Sequence, residues 1–286
     1  MKLVIISGRS GSGKSTALNV LEDLGFYCID NLPVGLLPTL CEQITGDNAA
    51  PGKLAVSIDA RNLPSALANF PGIVGPLKQQ VSQLEIVYLD ADATTLLKRF
   101  SATRRKHPLT GPDVSLHEAI SREQDLLAAI IDMADLKIDT THLTMHQLRS
   151  LIKERVAHKQ GEEMALLFES FGFKHGIPSD ADLVFDVRCL PNPYWDPNIR
   201  NYTGLENPVI RFLSQEPMVD KMFEDIRQYL DNWLPAFKDN NRTYMTVAIG
   251  CTGGHHRSVY MCERLSRHYR AKFANLQVRH RELTHE

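Results

Sequence analysis

Gly8-Arg9-Ser10-Gly11-Ser12-Gly13-Lys14-Ser15 is the stretch that decides the fold. It reads glycine, four residues, then Gly-Lys-Ser, with an apolar strand-like run over residues 3–7 before it and a helical pattern over residues 13–24 after it. Strand, glycine-rich turn, helix is the order that a phosphate-cradling loop requires. Gly11 and Gly13 free the backbone to turn its N–H groups toward an anion. The helix start adds the positive end of its dipole. Lys14 reaches the β- and γ-phosphates and Ser15 ligates Mg²⁺. The eight residues are therefore expected to hold ATP or GTP.

Outward from this loop, apolar runs alternate with helical patterns. Residues 26–30, 54–58, 86–89 and 136–138 read as strands, and residues 34–44, 94–103, 116–133 and 144–157 carry helical periodicity. Such alternation predicts an α/β fold, an N-terminal P-loop kinase-like parallel sheet flanked by helices. A polar stretch, Lys159-Gln160-Gly161-Glu162-Glu163, divides the chain into residues 1–158 and 159–286. A second α/β domain follows. It opens on a strand-like run at 164–170 and crosses an irregular region at 172–208. Helical patterns at 218–233 and 258–272 then flank an apolar strand at 245–249. An irregular stretch that long is functional or wraps a partner.

Composition narrows the class. Hydrophobic residues make up 43% and charged residues 23%, the balance of a soluble globular protein. A net charge of −2 excludes polyanion binding by bulk charge, so a nucleic-acid contact has to be a local patch. The five cysteines are odd in number and lack metal-pair spacing, which fits a reducing compartment. No apolar run is long enough to span a bilayer. A cytoplasmic protein with no membrane partner is expected.

Carboxylates at strand ends are the next candidates. Asp59 and Asp90 follow β-rich runs, where either orients Mg²⁺ through water or serves as a solvated strand cap. Asp30 lies at a third strand end, where it acts as base toward an attacking hydroxyl or caps the strand. Arg99, Arg104, Arg105 and Lys106 stand where a P-loop kinase carries its phosphate-clamping lid, or form a solvated basic face.

A second glycine-rich turn, Gly250-Cys251-Thr252-Gly253-Gly254-His255-His256-Arg257-Ser258, again lies between an apolar strand and a helix. The physics again favours a phosphate at the helix start, clamped by Arg257. The same string matches cysteine, five residues, arginine, serine, the pattern of a tyrosine phosphatase with Cys251 as nucleophile. Gly250 stands where that pattern has histidine, and binding without cleavage is the reading preferred. Near the C-terminus, Arg264, Arg267, Arg270, Lys272, Arg279 and Arg281, with His268 and His280, form either an RNA-contacting edge or an ordinary solvated helix and tail.

Several strings resemble the RapZ/YvcJ family of P-loop RNase adapter proteins: Phe26-Tyr27-Cys28-Ile29-Asp30-Asn31-Leu32-Pro33, Phe168-Glu169-Ser170-Phe171-Gly172-Phe173-Lys174-His175-Gly176-Ile177-Pro178, Leu190-Pro191-Asn192-Pro193-Tyr194-Trp195-Asp196-Pro197, and the second glycine turn itself. The resemblance implies an ATP site at Gly8–Ser15, a guanine-nucleotide segment at Asp59-Ala60-Arg61-Asn62, and weak ATPase or GTPase activity. It implies a small regulatory RNA bound by Arg270, Lys272, Arg279, His280 and Arg281. That RNA is presented to RNase E for cleavage, which lowers glucosamine-6-phosphate synthase. Glucosamine-6-phosphate sensing is implied at Thr252, Gly253, His256 and Arg257, with Asp186 and Tyr194 on the sugar, and so is a homo-oligomer, typically a tetramer. Two features depart from enteric members. The chain ends Leu283-Thr284-His285-Glu286, less basic than their tails, and Tyr194 stands where they have histidine.

A regulatory adapter is thus the leading reading. A small-molecule kinase using Asp30 as base, and a Cys251 phosphatase, are its rivals.

Overall fold

The computed structural model describes residues 1–46, 51–103, 106–157, 164–240 and 242–283. The chain divides into two units, Met1–His158 and Lys159–Glu286. The boundary stretch, Arg104, Arg105 and the last three residues of the basic tail lie outside the described residues.

The first unit is built on β1 (Lys2–Gly8), whose Leu3, Val4 and Ile5 are wholly buried because helices cover both faces of the sheet. Helix α1 (Lys14–Asp23) follows the turn, then β2 (Tyr27–Ile29), α2 (Leu37–Gly46) and β3 (Lys53–Ser57). Helices α3 (Pro64–Ala68) and α4 (Phe70–Gln80) lead to β4 (Gln83–Asp90). Next come α5 (Ala93–Thr103), α6 (Leu116–Leu126), α7 (Ala128–Met133), β5 (Leu136–Asp139) and α8 (Met145–Ile152). The five strands are parallel in the order β2-β3-β1-β4-β5. β1 therefore lies between β3 and β4, and the chain crosses over it. The carboxyl ends beside such a crossing are where open α/β sheets place their ligands.

Several sequence expectations shift here. The helix expected over residues 116–133 breaks at Leu127 into α6 and α7, and the one expected from residue 34 opens as a 3₁₀ turn, Val34–Leu36. The pattern at 144–157 ends as a π-turn, Lys153–Ala157. Helices α3 and α4 carried no sequence signal because prolines mask them. Pro64 and Pro71 sit in first turns, where a missing N–H costs nothing, and Pro76 is internal.

The second unit contains β6 (Ala165–Gly172), β7 (Leu183–Asp186), α9 (Asn207–Ser214), α10 (Pro217–Asp239), β8 (Tyr244–Cys251), α11 (Arg257–Tyr269) and β9 (Leu276–His280). Its four strands are parallel in the order β7-β8-β6-β9. Helix α10 buries Val219, Phe223, Ile226, Leu230 and Leu234, a stripe at spacings of three and four that packs on the sheet.

Two expectations are corrected. The irregular region at 172–208 contains the edge strand β7. Within the basic C-terminal segment, Leu276–His280 form the other edge strand, β9, rather than a solvated tail. Arg279 pairs with the buried Glu169 of β6 at 3.1 Å, and His280 is buried against Ser170 at 2.9 Å and Glu263 at 3.3 Å. A strand of five residues with charged side chains looks like a tail until its partner carboxylate is placed beside it. Among the described residues, no helix is long and apolar enough to cross a membrane.

Candidate phosphate-binding sites

The turn between β1 and α1 depends on glycine for two separate reasons. Gly8 (φ 144°) carries the chain so close to β4 that a Cβ would stand 2.0 Å from the Leu89 carbonyl oxygen. Gly13 (φ 107°) caps α1 in a conformation that side chains rarely adopt. Behind them the amides of Gly13, Lys14 and Ser15 have no acceptor among the described residues, as expected of donors that open a helix toward an anion. The Lys14 ammonium rests on the Gly8 carbonyl at 2.7 Å. Burial holds its pKa below the usual lysine range, opposed by the carboxylates of Glu123, Asp59 and Asp30. Ser15 is exposed at the mouth.

Other members of the motif hold the turn rather than face a ligand. Arg9, expected in the nucleotide site, is buried. Its Nε donates to Asp90 at 2.7 Å and its Nη2 to the Ala91 carbonyl at 2.6 Å. Asp90 is thereby occupied as an anchor. The amide of Ser12 donates to the Arg9 carbonyl at 3.0 Å. Ser10 gives both its amide and its hydroxyl to Glu123, each at 2.8 Å.

Glu123 carried no sequence signal. It is fully buried on α6 and also accepts from His107 Nε2 at 3.0 Å. His107 Nδ1 accepts the Leu109 amide at 3.1 Å, which assigns the ring proton to Nε2. The Glu123 carboxylate thus accepts from three donors, and its field opposes the lowering of the Lys14 pKa.

Around the turn lies a cleft of about 700 Å³. One end is largely apolar, with Phe100, Leu143, Met145 and Leu148, and the other carries Asp30, Asp59 and Arg61. Arg99, expected in a lid, instead grips the Gly11 carbonyl at 3.0 Å and the Thr140 carbonyl at 2.6 Å, while Lys106 lines the cleft. The expected guanine-nucleotide segment splits in two. Asp59 and Arg61 line the cleft. Ala60 is buried, and Asn62 braces the loop at Leu32 and Val34 by accepting the Val34 amide at 2.7 Å. Burial of Asp59 works to raise its pKa, but the Arg61 fork and amide outweigh it and hold the carboxyl below the usual range.

The second turn repeats the plan. Gly254 (φ 80°) has no room for a Cβ, which would meet the Gly172 amide at 2.8 Å. Cys251 is buried. Its Sγ accepts the Gly254 amide at 3.2 Å and lies 3.1 Å from the Ser258 hydroxyl. A thiol so enclosed is not presented to a phosphate ester. Arg257 Nη1 donates to the carbonyls of Arg188 at 2.7 Å and Leu190 at 3.0 Å, and Nη2 to Thr252 at 3.4 Å. Burial keeps His256 below the usual histidine pKa, with its Nε2 against the Arg200 carbonyl at 3.0 Å.

Asp186 is in register with Gly250 across the β7–β8 pairing, so Asp186, Thr252, Gly253 and Arg257 meet at the same sheet end. Arg188, which carried no sequence signal, binds Asp186 through its fork (Nη2 at 2.6 Å) and stacks over Phe173. Tyr194 is exposed on a 3₁₀ turn, edge-on to Trp195. Of the expected RNA contacts, Arg270 is exposed, Lys272 binds Asp231 at 3.0 Å, Arg279 and His280 are held inside the sheet edge, and the Arg281 amide bonds the Ser170 carbonyl at 3.1 Å.

The fold and the first turn define a P-loop nucleotide-binding protein whose kinase-like domain carries an α/β companion. The family model described as the RapZ-like N-terminal domain matches residues 1–160, and that of the RapZ C-terminal domain matches residues 164–284. The chain belongs to the RapZ family. A relative named nucleotide-binding protein from Marinobacter nauticus is 59% identical over 288 residues, covering 100% of this chain and 98% of that one. Another of that name, from Stutzerimonas stutzeri, is 60% identical over 284 residues, covering 99% and 100%. Among solved structures, shikimate kinase from Acinetobacter baumannii is similar at 15% identity and a TM-score of 0.35, covering 56% of this chain and 96% of that chain.

Proposed function

We propose that this chain is a nucleotide-gated RNA adapter. The N-terminal domain takes ATP or GTP with its phosphates on the amides of Gly13, Lys14 and Ser15 and its base against Phe100, Leu143 and Met145. The donor set fits Mg²⁺, since the Ser15 hydroxyl is a hard oxygen ligand and Asp59, which lines the same cleft, would act on the ion through water while phosphates supply the rest. Bound there, the ion would neutralise phosphate charge. Lys14 would leave the Gly8 carbonyl for a phosphate oxygen. The C-terminal domain takes glucosamine-6-phosphate at Thr252, Gly253, His256 and Arg257. It also takes a small regulatory RNA, which it offers to RNase E, lowering glucosamine-6-phosphate synthase in the cytoplasm. A homo-tetramer is the working state.

The observation that carries this reading is the repeated strand, glycine turn and helix, one per domain, each with an Asp-x-Arg turn at or just past the end of the neighbouring strand. RNA gel shifts with and without millimolar glucosamine-6-phosphate test it. RNA retention is expected to fall when the sugar phosphate is present. Identical retention would remove the regulatory link. The exposed Arg267 and Arg270 are expected to carry RNA affinity, so their double alanine variant should lower both affinity and salt slope, by about one log–log unit for each phosphate no longer neutralised.

A further inference from the structure

The P-loop cleft has a polar end on the β2–β3 side of β1. Asp30, Asp59 and Arg61 line it together, across from the apolar end. The two carboxylates differ in chemistry. Asp59 is neutralised by the Arg61 fork, with Nη2 at 2.6 Å and Nε at 3.0 Å. Asp30 is exposed at the end of β2 and held by a neutral group, the Ser57 hydroxyl, which in turn accepts the Asn31 amide at 2.8 Å. Asn31 takes a left-handed backbone (φ 51°) to make that turn. Arg61 is half-exposed, and its Nη1 has no partner among the described residues. It is a rigidly held fork with one edge open to an anion.

We propose that this end is a phosphoryl-acceptor subsite, and that the N-terminal domain transfers the γ-phosphoryl group of its bound nucleotide to the hydroxyl of a small anionic metabolite. The inference rests on the nucleotide reading given above. The acceptor's carboxylate or phosphate sits on the open edge of Arg61, and its hydroxyl hydrogen-bonds Asp30. In the step, a bond forms between the acceptor oxygen and the γ-phosphorus. The bond from that phosphorus to the β–γ bridging oxygen breaks, and the nucleoside diphosphate departs with the electron pair. The hydroxyl proton passes to the Asp30 carboxylate. Asp59 keeps Arg61 aimed and is itself too well paired to act as base.

The full-length protein is incubated with Mg²⁺ and γ-labelled ATP or GTP. Glycerate and shikimate serve as carboxylate acceptors, and ribose-5-phosphate and glucosamine-6-phosphate as phosphate acceptors, with water alone as the reference. Label is expected on an acceptor of one arm. Asp30→Asn should lower its turnover about 100-fold and leave affinity for a non-hydrolysable nucleotide within about twofold. Arg61→Lys, which keeps the charge beside Asp59, should raise the acceptor KM about tenfold while kcat persists. Label found only in inorganic phosphate with every acceptor, or undiminished transfer by Asp30→Asn, overturns the proposal while nucleotide binding stands. Failure of the wild-type protein to bind the nucleotide analogue overturns both readings.

Discussion

The two glycine turns share one plan and use their cations in opposite ways. Lys14 touches a single carbonyl, that of Gly8, inside its own turn. A phosphate oxygen can replace that carbonyl without loosening anything else. Arg257 is strapped to two carbonyls of the neighbouring loop, at Arg188 and Leu190. It holds β7's exit against α11 before any ligand arrives. The flanking Asp-x-Arg turns differ in the same spirit. Both make the same fork, yet the Asp59 side chain is 4% exposed and that of Asp186 is 44% exposed. Similar sequence grammar thus produces one turn poised to exchange its cation and another whose cation is part of the scaffold.

Substitution at the tightest glycine should separate the domains most sharply. Gly8→Ala forces a Cβ into the Leu89 carbonyl at a strained φ, so a loss of about 3 kcal/mol or more and of nucleotide binding is expected, with the unfolding of the C-terminal domain unchanged. Thermal unfolding and calorimetric titration read both. The cations come next. Arg257→Ala leaves two carbonyls without their donor and should cost about 2–3 kcal/mol in the C-terminal domain. Lys14→Ala should abolish nucleotide binding at a cost of about 1 kcal/mol, because the ammonium makes one hydrogen bond within the turn. Equal destabilisation by the two would erase the contrast between the turns.

Acid should distinguish the carboxylates. The pKa of Asp59 is lowered by folding, so its contribution is complete above its ordinary value near 3.8 and fades as pH falls through the lower folded value. Asp59→Asn should therefore destabilise at neutral pH by roughly 1–3 kcal/mol and flatten the stability loss below about pH 4. The exposed Asp186 pair has the same sign and smaller weight. Asp186→Asn should stay within about 1 kcal/mol at every pH. A pH-stability series by chemical denaturation measures the pair of variants.

Legibility followed the range of the interactions. The strands β1, β3, β4, β6 and β8 could be read because buried parallel strands are continuous apolar runs. The short edge strand β7 was hidden in a proline-bearing region, and β9 in what looked like a basic tail, because an edge strand needs a partner more than it needs a pattern. Glu123 could not be found, since nothing local marks a carboxylate on α6 as the acceptor for Ser10, residues apart by 113 positions. Arg9 was placed at the ligand for the opposite reason. Its motif position says phosphate, while its real partner, Asp90, lies on another strand.

By itself, the sequence determined the two strand–glycine–helix turns, the α/β class and the family. These are carried by local backbone demands, positive φ at Gly13 and Gly254 and apolar runs that only a covered sheet can bury. The tertiary structure alone decided which charges face a ligand and which face the protein. A buried ion or carbonyl must find its partner wherever the fold brings one, and hydrogen-bonding partners such as Arg9 and Asp90, or Arg257 and Leu190, are distant in the chain and adjacent only once the sheets are assembled.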